Sequence, residues 1–428
     1  MSVDVMPERE GERPVRLVVS DDLRRGHGSV FFRAWLALPL LAWLAIWSIG
    51  TLFIAIANWF LTLAFGWSPE PLHRFLARFV RYATHTVAYL NLAAEPLPGF
   101  DGKPGYPVDI EIEPPGSQNR WTVAFRIVLA VPVLLLLTVL VRFGVDIYGA
   151  FYPPLLFGSI NLLAAAALLG WFYAVARGRM PRGLRDLIAY ALSYGAQAWA
   201  YLLLLSDRYP SSDPLTAIGP LPTRADPVRA EVSDDLRRSR LTVFFRLPLV
   251  VPHLVWLLLW GVVALGAAIL NWVATLFTGV SPRSLHRLLA AYLRYQFHVS
   301  SYLYLTGNPF PGFTGAEGSY PVELHVAERA AQNRWSTLFR LVLVLPALLI
   351  VSAYGALLSV VALLAWFAAL ITGRMPVGLR NAGVLALRYG AQTYGYVFLV
   401  TGAYPYSGPC LGPAPSPAGP AAAGPGVE

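Results

Sequence analysis

Residues 341–373 read LVLVLPALLIVSAYGALLSVVALLAWFAALITG, thirty-three positions without a charge, preceded by Phe339-Arg340 and followed by Arg374-Met375-Pro376. At a rise of about 1.5 Å per residue, one helix of this length would reach roughly 50 Å, well past a hydrocarbon core of about 30 Å. The run is therefore expected to fold as two membrane helices joined near Gly355. Related runs occur at 34–66 and 247–279 and, interrupted, within 124–176. They define an architecture, but no motif in the chain announces an activity.

Composition supports the membrane reading. Hydrophobic residues make up 56% of the chain and charged residues only 13%, which is outside the range of an ordinary soluble domain. The net charge is +9, and every basic residue except Lys103 is an arginine. These arginines flank apolar runs, so anionic lipid headgroups, rather than nucleic acid, are the expected counter-charge. Cys410 is the single cysteine, which excludes a disulfide framework and a cysteine-based metal site. The N-terminal MSVDVMPEREGERPVR has no apolar core, so insertion is expected to rely on internal helices rather than a cleaved signal.

Repetition organises the rest. At a constant offset of 213 residues, Ser20–Arg25 recurs as Ser233–Arg238, Val30–Arg33 as Val243–Arg246, Asn58-Trp59 as Asn271-Trp272, and His73 and His85 as His286 and His298. Gln118–Trp121 matches Gln332–Trp335, and Gly178–Pro181 matches Gly373–Pro376. Each half is a weaker tandem of its own. The reading is four quasi-repeated units at 14–100, 106–210, 227–313 and 320–405, with a proline-rich linker at 211–226 and a Pro/Gly/Ala tail at 406–428 expected to be disordered. The first membrane half is thus 1–210 and the second 227–405.

Each unit is expected to hold a short strand, a transmembrane helical hairpin and an amphipathic interfacial helix. The fold class is a mainly α, polytopic membrane protein with about eight spans. Val108, Ile110 and Ile112 alternate with Asp109, Glu111 and Glu113, and similar alternation marks 228–232 and 322–326, giving strands that pair into one or two small sheets. An acidic row there suits a neighbour bearing Arg16 or Arg229. Ser20 and Ser233, each followed by Asp-Asp, read as helix N-caps. The second unit carries extra residues around Arg142–Asp146 and Tyr152-Pro153-Pro154, where the apolar material divides in two, and by homology the other units are expected to divide as well.

Arginines orient the molecule. Arg33, Arg126, Arg246 and Arg340 precede the apolar runs, while Arg74, Arg179, Arg287 and Arg374 follow them, so in a hairpin both sets face the cytoplasm, as do both termini. A competing topology counts the third helix of each unit as a span and reaches twelve. In that third helix Arg74, Arg78 and Arg81 fall at i, i+4 and i+7 opposite an apolar stripe, the pattern of a helix lying in the interface. The residues expected at lipid headgroups are therefore Arg33, Arg74, Arg78, Arg81, Arg126, Arg179, Arg246, Arg287, Arg294, Arg340 and Arg374.

No catalytic site emerges. His73 and His85 stand twelve apart, about 18 Å along a helix, too far to share one ion. No phosphate loop, nucleophile elbow or zinc-binding helix is present, so no cofactor, no metal and no enzymatic activity are expected. The apolar runs at 34–66, 247–279 and 341–373 hold no charge, whereas transporters and pumps usually carry one. Aligned prolines at 39, 132, 252 and 346 fit the discontinuous helices of transporters, and kinks at the membrane entrance are the favoured account of them.

With these residues in view, the chain resembles a family of bacterial integral membrane proteins, common in actinobacteria, called domain of unknown function 4389. The resemblance rests on Phe245-Arg246, Val251-Pro252-His253, Ala365-Trp366-Phe367, Gly373–Leu379, and Ala200–Leu205 with Asp207-Arg208-Tyr209-Pro210. Gly66-Trp67-Ser68-Pro69 and Gly279-Val280-Ser281-Pro282 depart from it by lacking the arginine. The family implies multi-pass residence in the cytoplasmic membrane and repetition, and brings no activity. The expected function is a structural or interaction scaffold contacting anionic lipids and an envelope partner or a second copy, the alternative being a transporter or channel built from two pseudo-symmetric halves.

Overall fold

The computed structural model describes residues 14–141, 160–217 and 226–410. The N-terminal residues 1–13, the turn expected at Arg142–Asp146 with its Tyr-Pro-Pro, residues 218–225 of the linker and the tail from 411 lie outside the described residues.

The first half runs β1 (Val15–Val19), α1 (His27–Phe65), α2 (Glu70–Leu90), β2 (Val108–Ile112), α3 (Arg120–Ala124), α4 (Arg126–Leu129), α5 (Val131–Leu140), α6 (Leu162–Arg177) and α7 (Arg182–Leu202). The second runs β3 (Val228–Val232), α8 (Arg240–Phe244), α9 (Arg246–Thr278), α10 (Arg283–Leu303), β4 (Val322–Val326), α11 (Arg334–Leu338), α12 (Arg340–Leu343), α13 (Leu345–Thr372) and α14 (Val377–Val397).

The apolar run of the second unit divides into α5 and α6 as expected, but in the other three units the expected hairpin is not formed. The helices α1, α9 and α13 are single continuous helices of 39, 33 and 28 residues, and Gly355 lies inside α13 with open space where a Cβ would stand. A glycine with no turn chemistry around it does not end a helix whose neighbours are Leu, Ala, Val and Ser. Each long helix ends instead at a glycine in the left-handed region, Gly66, Gly279 and Gly373, whose N–H donates to the carbonyl four residues back. Among the described residues, three helices are long and apolar enough to cross a membrane, not eight.

The strands form two separate two-stranded antiparallel sheets, β1 with β2 and β3 with β4. In the first, Leu17 stands opposite Ile110 at the centre and Arg16 opposite Glu111, the cross-strand charge pair anticipated by the alternation.

Three layers result. Each sheet covers the middle helices, β1 on α7 and β2 on α2, β3 on α14 and β4 on α10, and the long helices pack beneath them. The middle helices are core elements, which corrects the interfacial reading: α7 is buried on nearly every side from Leu187 to Ala196, and α14 likewise from Asn381 to Tyr389. Their small residues Ala189, Ala191, Ala196, Ala382, Ala386 and Ala391 allow close approach by neighbours. Only α2 and α10 keep an exposed arginine row.

The halves meet where α13 packs on α5 and α6, and in two reciprocal loop contacts. Each loop is tied to its own half, the Tyr190 hydroxyl donating to the Ser212 carbonyl at 2.7 Å and the Tyr354 hydroxyl to the Ser407 carbonyl at 2.8 Å, and each reaches the other half, the Tyr406 hydroxyl donating to Asp186 at 3.2 Å and the Asn381 amide to Asp213 at 3.1 Å. Gly183 and Gly378 permit this: a Cβ on Gly183 would stand 2.9 Å from Ser407 Oγ, and one on Gly378 2.8 Å from Ser212 Oγ.

Candidate functional site

The eleven arginines expected at headgroups divide into two sets. Arg74, Arg78, Arg179, Arg287 and Arg374 are exposed, and Arg81 is half-buried. Arg33, Arg126, Arg246, Arg294 and Arg340 are buried and reach no surface. This corrects half of the assignment, and the reason is geometric. A long side chain at the start of an apolar run can turn inward if an acceptor with unsatisfied lone pairs lies there, and the C-terminus of a middle helix supplies such acceptors.

The inward arginines form a fourfold motif. Arg33 stacks over the Tyr89 ring with its Cζ 4.5 Å from the centroid, Arg126 over Tyr201 at 4.1 Å, Arg246 over Tyr302 at 4.3 Å and Arg340 over Tyr396 at 3.9 Å. Each tyrosine lies in the last turns of a middle helix. Arg33 donates to the carbonyls of Tyr89 (2.7 Å) and Ala94 (2.9 Å) and pairs with Glu95 at 2.6 Å. Arg246 repeats this with Tyr302 and Gly307. Arg126 and Arg340 instead donate to Gln118 and Gln332, whose amides donate to the carbonyls of Leu204 and Leu399 at 2.6 and 2.7 Å. Cation–π stacking and the helix C-terminal dipole both favour the guanidinium here. The helices end in leucines, Leu92, Leu204, Leu305 and Leu399, with φ between 59° and 65°. Such a conformation is uncommon for leucine, and side-chain donors on its carbonyl hold the turn, Arg25 and Arg238 at Leu92 and Leu305 and Gln118 and Gln332 at Leu204 and Leu399.

The Ser-Asp-Asp segments are not N-caps. Asp21 accepts from the Leu23 N–H and pairs bidentately with Arg25, whose Nη2 lies 2.7 Å from Oδ2, while Arg25 also donates to the Leu92 carbonyl. Asp234 and Arg238 reproduce the arrangement. The acids serve an adjacent turn and a buried arginine because a β-bridge follows at once, Arg24 with Arg179 and Arg237 with Arg374, rather than a helix.

Histidines and asparagines tie elements together. His85 Nε2 lies 2.8 Å from Asp109 and His298 Nε2 3.1 Å from Glu323, each bridging a middle helix to its sheet, with Arg81 and Arg294 on the same carboxylates. Burial pushes the Asp109 and Glu323 carboxyls up, but hydrogen bonds from these histidines and from backbone N–H groups outweigh it and hold both below the ordinary range. Asn58 donates to the Leu203 carbonyl at 3.1 Å and accepts from Ser68 at 2.7 Å, and Asn271, Phe398 and Ser281 do the same in the second half. Sequence reasoning recorded these residues as repeated but assigned them no role. Their common offset was the available signal.

What remains available at the surface is basic. The bridges place exposed Arg24 beside exposed Arg179, and exposed Arg237 beside exposed Arg374. Arg24, Arg177 and Arg179 line an open concavity of about 740 Å³ together with Asp22 and Glu95. Arginine pairs of this kind suit an anionic oxygen group such as a phosphate. Arg24 and Arg237 were not among the expected contacts, since only the bridge brings them to the partner turn.

By class, this is a mainly helical repeat protein with a broad apolar exterior and a charged rim. The chain belongs to the family described as Domain of unknown function (DUF4389), whose model matches four times, at residues 27–100, 159–212, 240–314 and 334–407. Each match lies in one of the four quasi-repeated units, three of them ending one or two residues beyond it. No curated protein and no solved structure matches the chain.

Proposed function

We propose that this protein is a non-enzymatic scaffold of the bacterial cytoplasmic membrane, anchored by its long apolar helices, with its exposed arginines on anionic headgroups and its polar layer free to engage an envelope protein or a second copy. The observation that carries this reading is the fate of the internal polar groups. The repeated buried arginines, asparagines and histidines are engaged with helix ends and sheets of the same chain. Both termini and the basic rim are assigned to the cytoplasmic side by the arginine bias. The test is purification in mild detergent followed by identification of bound lipids and proteins. Stoichiometric anionic lipid with a reproducible protein partner or homo-oligomer supports the scaffold, and recovery free of both counts against it.

The pseudo-symmetry of the halves favours a second reading, a transporter or channel. Solute or ion flux into liposomes carrying the purified protein would establish that reading in place of the scaffold. The helix α13 where it meets α5 and α6 is apolar, with Ile350, Leu357 and Val361 buried there, which supports the scaffold.

A further inference from the structure

Upright in a bilayer, the long helices would carry polar groups of the same chain into the hydrocarbon. In the first half the two family copies exchange contacts in pairs. The Arg25 N–H donates to the Gly178 carbonyl at 2.9 Å after α6, and the Gln118 N–H to the Gly66 carbonyl at 2.8 Å after α1. At one end of α1, His27 Nδ1 lies 2.9 Å from the Val175 carbonyl near the end of α6. At the other end, the Trp59 indole donates to the Val123 carbonyl of α3 at 3.0 Å. The exchange is reciprocal between the two units, as is the antiparallel ladder centred on Leu17 and Ile110. The second half repeats the pattern, with Arg240 on the Ile371 carbonyl and Trp272 on the Thr337 carbonyl, both at 2.9 Å.

Polar loops of the same chain are held against the interior of α1 and α9. The Trp43 indole, well inside α1, donates to the Phe100 carbonyl at 2.9 Å, and the adjoining loop carries the exposed ion pair Asp101–Lys103. Trp256 in α9 holds Phe313 in the same way at 3.0 Å. Were α1 upright with its middle in the hydrocarbon, this loop and the exposed Arg16 and Glu111 of the sheet would lie there too, where charges are strongly disfavoured. Unsatisfied sheet edges are disfavoured there as well. The opposite side of α1 is apolar for its whole length: Trp35, Ile49, Phe53 and Phe60 are all at least 60% exposed. Thirty-nine residues also rise about 58 Å, nearly twice a hydrocarbon core.

We infer that the long helices lie along the membrane, embedded in the acyl region of a single leaflet of anionic phospholipid, with both ends of each helix on the same side. This deepens the membrane reading above and rests on it. An isolated in-plane helix needs a polar face of its own. Here the middle helices and sheets supply that face. Exposed Trp67, Trp121 and Trp335 near the helix ends take the headgroup level, and exposed Arg120, Arg179 and Arg374 meet phosphates.

The test uses the full chain with Cys410→Ser, reconstituted in sealed vesicles of phosphatidylglycerol and phosphatidylethanolamine. Gly28→Cys marks the start of α1, where a Cβ meets nothing, and Ser117→Cys, exposed and bridged to Trp67, marks its far end. A membrane-impermeant maleimide is applied before and after opening the vesicles with detergent. Both positions showing the same protected and labelled fractions supports the in-plane arrangement, and complementary fractions at the two positions overturn it. Oriented circular dichroism of the unsubstituted protein in aligned bilayers checks this independently, since helices parallel to the surface support the inference and helices along the normal sink it. Co-flotation with the same vesicles tests the membrane reading alone, so its failure is distinguishable from a failure of orientation.

Discussion

The Arg340 guanidinium lies 3.9 Å from the centroid of the Tyr396 ring, with Arg340 at the start of a long helix and Tyr396 at the end of the middle helix that follows it. The same pair recurs as Arg33 with Tyr89, Arg126 with Tyr201 and Arg246 with Tyr302, so one contact closes each of the four quasi-repeated units. The long helix and the middle helix that packs along it are thereby also clamped at one end.

Removing that clamp should destabilise the chain. Arg340→Ala forfeits a desolvated cation–π contact and a charged hydrogen bond to Gln332, together about 2–4 kcal/mol. Arg340→Lys should recover less than half, because an ammonium cannot both stack flat and reach the amide. Thermal unfolding in detergent followed by circular dichroism reads the difference, and a lysine variant as stable as the parent would refute the planar-stacking account.

Asn58 is fully buried and serves the Leu203 carbonyl and the Ser68 hydroxyl at once. Asn58→Ala leaves both unpaired, at about 1–3 kcal/mol. Asn271→Ala should cost a similar amount, and since the two sites share no partner the double variant should be additive within about 0.5 kcal/mol. Denaturant midpoints of the three variants decide it.

Acid should loosen the sheets first. The Asp109 carboxyl is held below its ordinary 3.8, and Glu323 below its ordinary 4.5. A folded value below the unfolded one means that the unfolded state binds protons more readily as pH falls. The stabilisation is therefore complete above the ordinary range and drains away as pH drops through the folded values. Hydrogen exchange of the Val108–Ile112 and Val322–Val326 amides should accelerate, relative to intrinsic rates, as pH falls below those ordinary values. In Asp109→Asn the first sheet should lose this pH dependence while the second retains it.

Exposed arginines should govern lipid preference and buried ones should not. Arg179→Glu with Arg374→Glu should weaken binding to anionic vesicles at least tenfold at low salt, since each juxtamembrane arginine contributes about 1 kcal/mol. Binding to neutral vesicles should be unchanged. Vesicle sedimentation across a salt series measures both, and an equal loss on neutral lipid would point to damage to the fold.

The two halves should separate when their reciprocal contact is filled. A Cβ on Gly183 would crowd Ser407 and the Tyr406 ring, so Gly183→Val is expected to cost about 1–3 kcal/mol. Limited proteolysis within 214–226 should then become faster. Unchanged cleavage would show that α13 against α5 and α6 suffices to hold the halves.

The sequence by itself determined the repetition, the strand periodicity and the apolar runs, because offsets and hydrophobic periods are local properties of the chain. Arg16 opposite Glu111 was legible in the alternation, and so was the family resemblance in its motifs. Length alone argued for a division at Gly355, and the chain instead continues through it as helix, since a membrane's thickness limits a helix only if the helix stands upright. Only the tertiary structure decided which arginines turn inward. Arg33 and Arg74 read alike beside their apolar runs, yet Arg33 meets the carbonyl end of α2 and Glu95, whereas Arg74 meets only Glu70 one turn away in solvent. Whether a charge is buried depends on acceptors that distant segments bring to it, and those positions are set by packing.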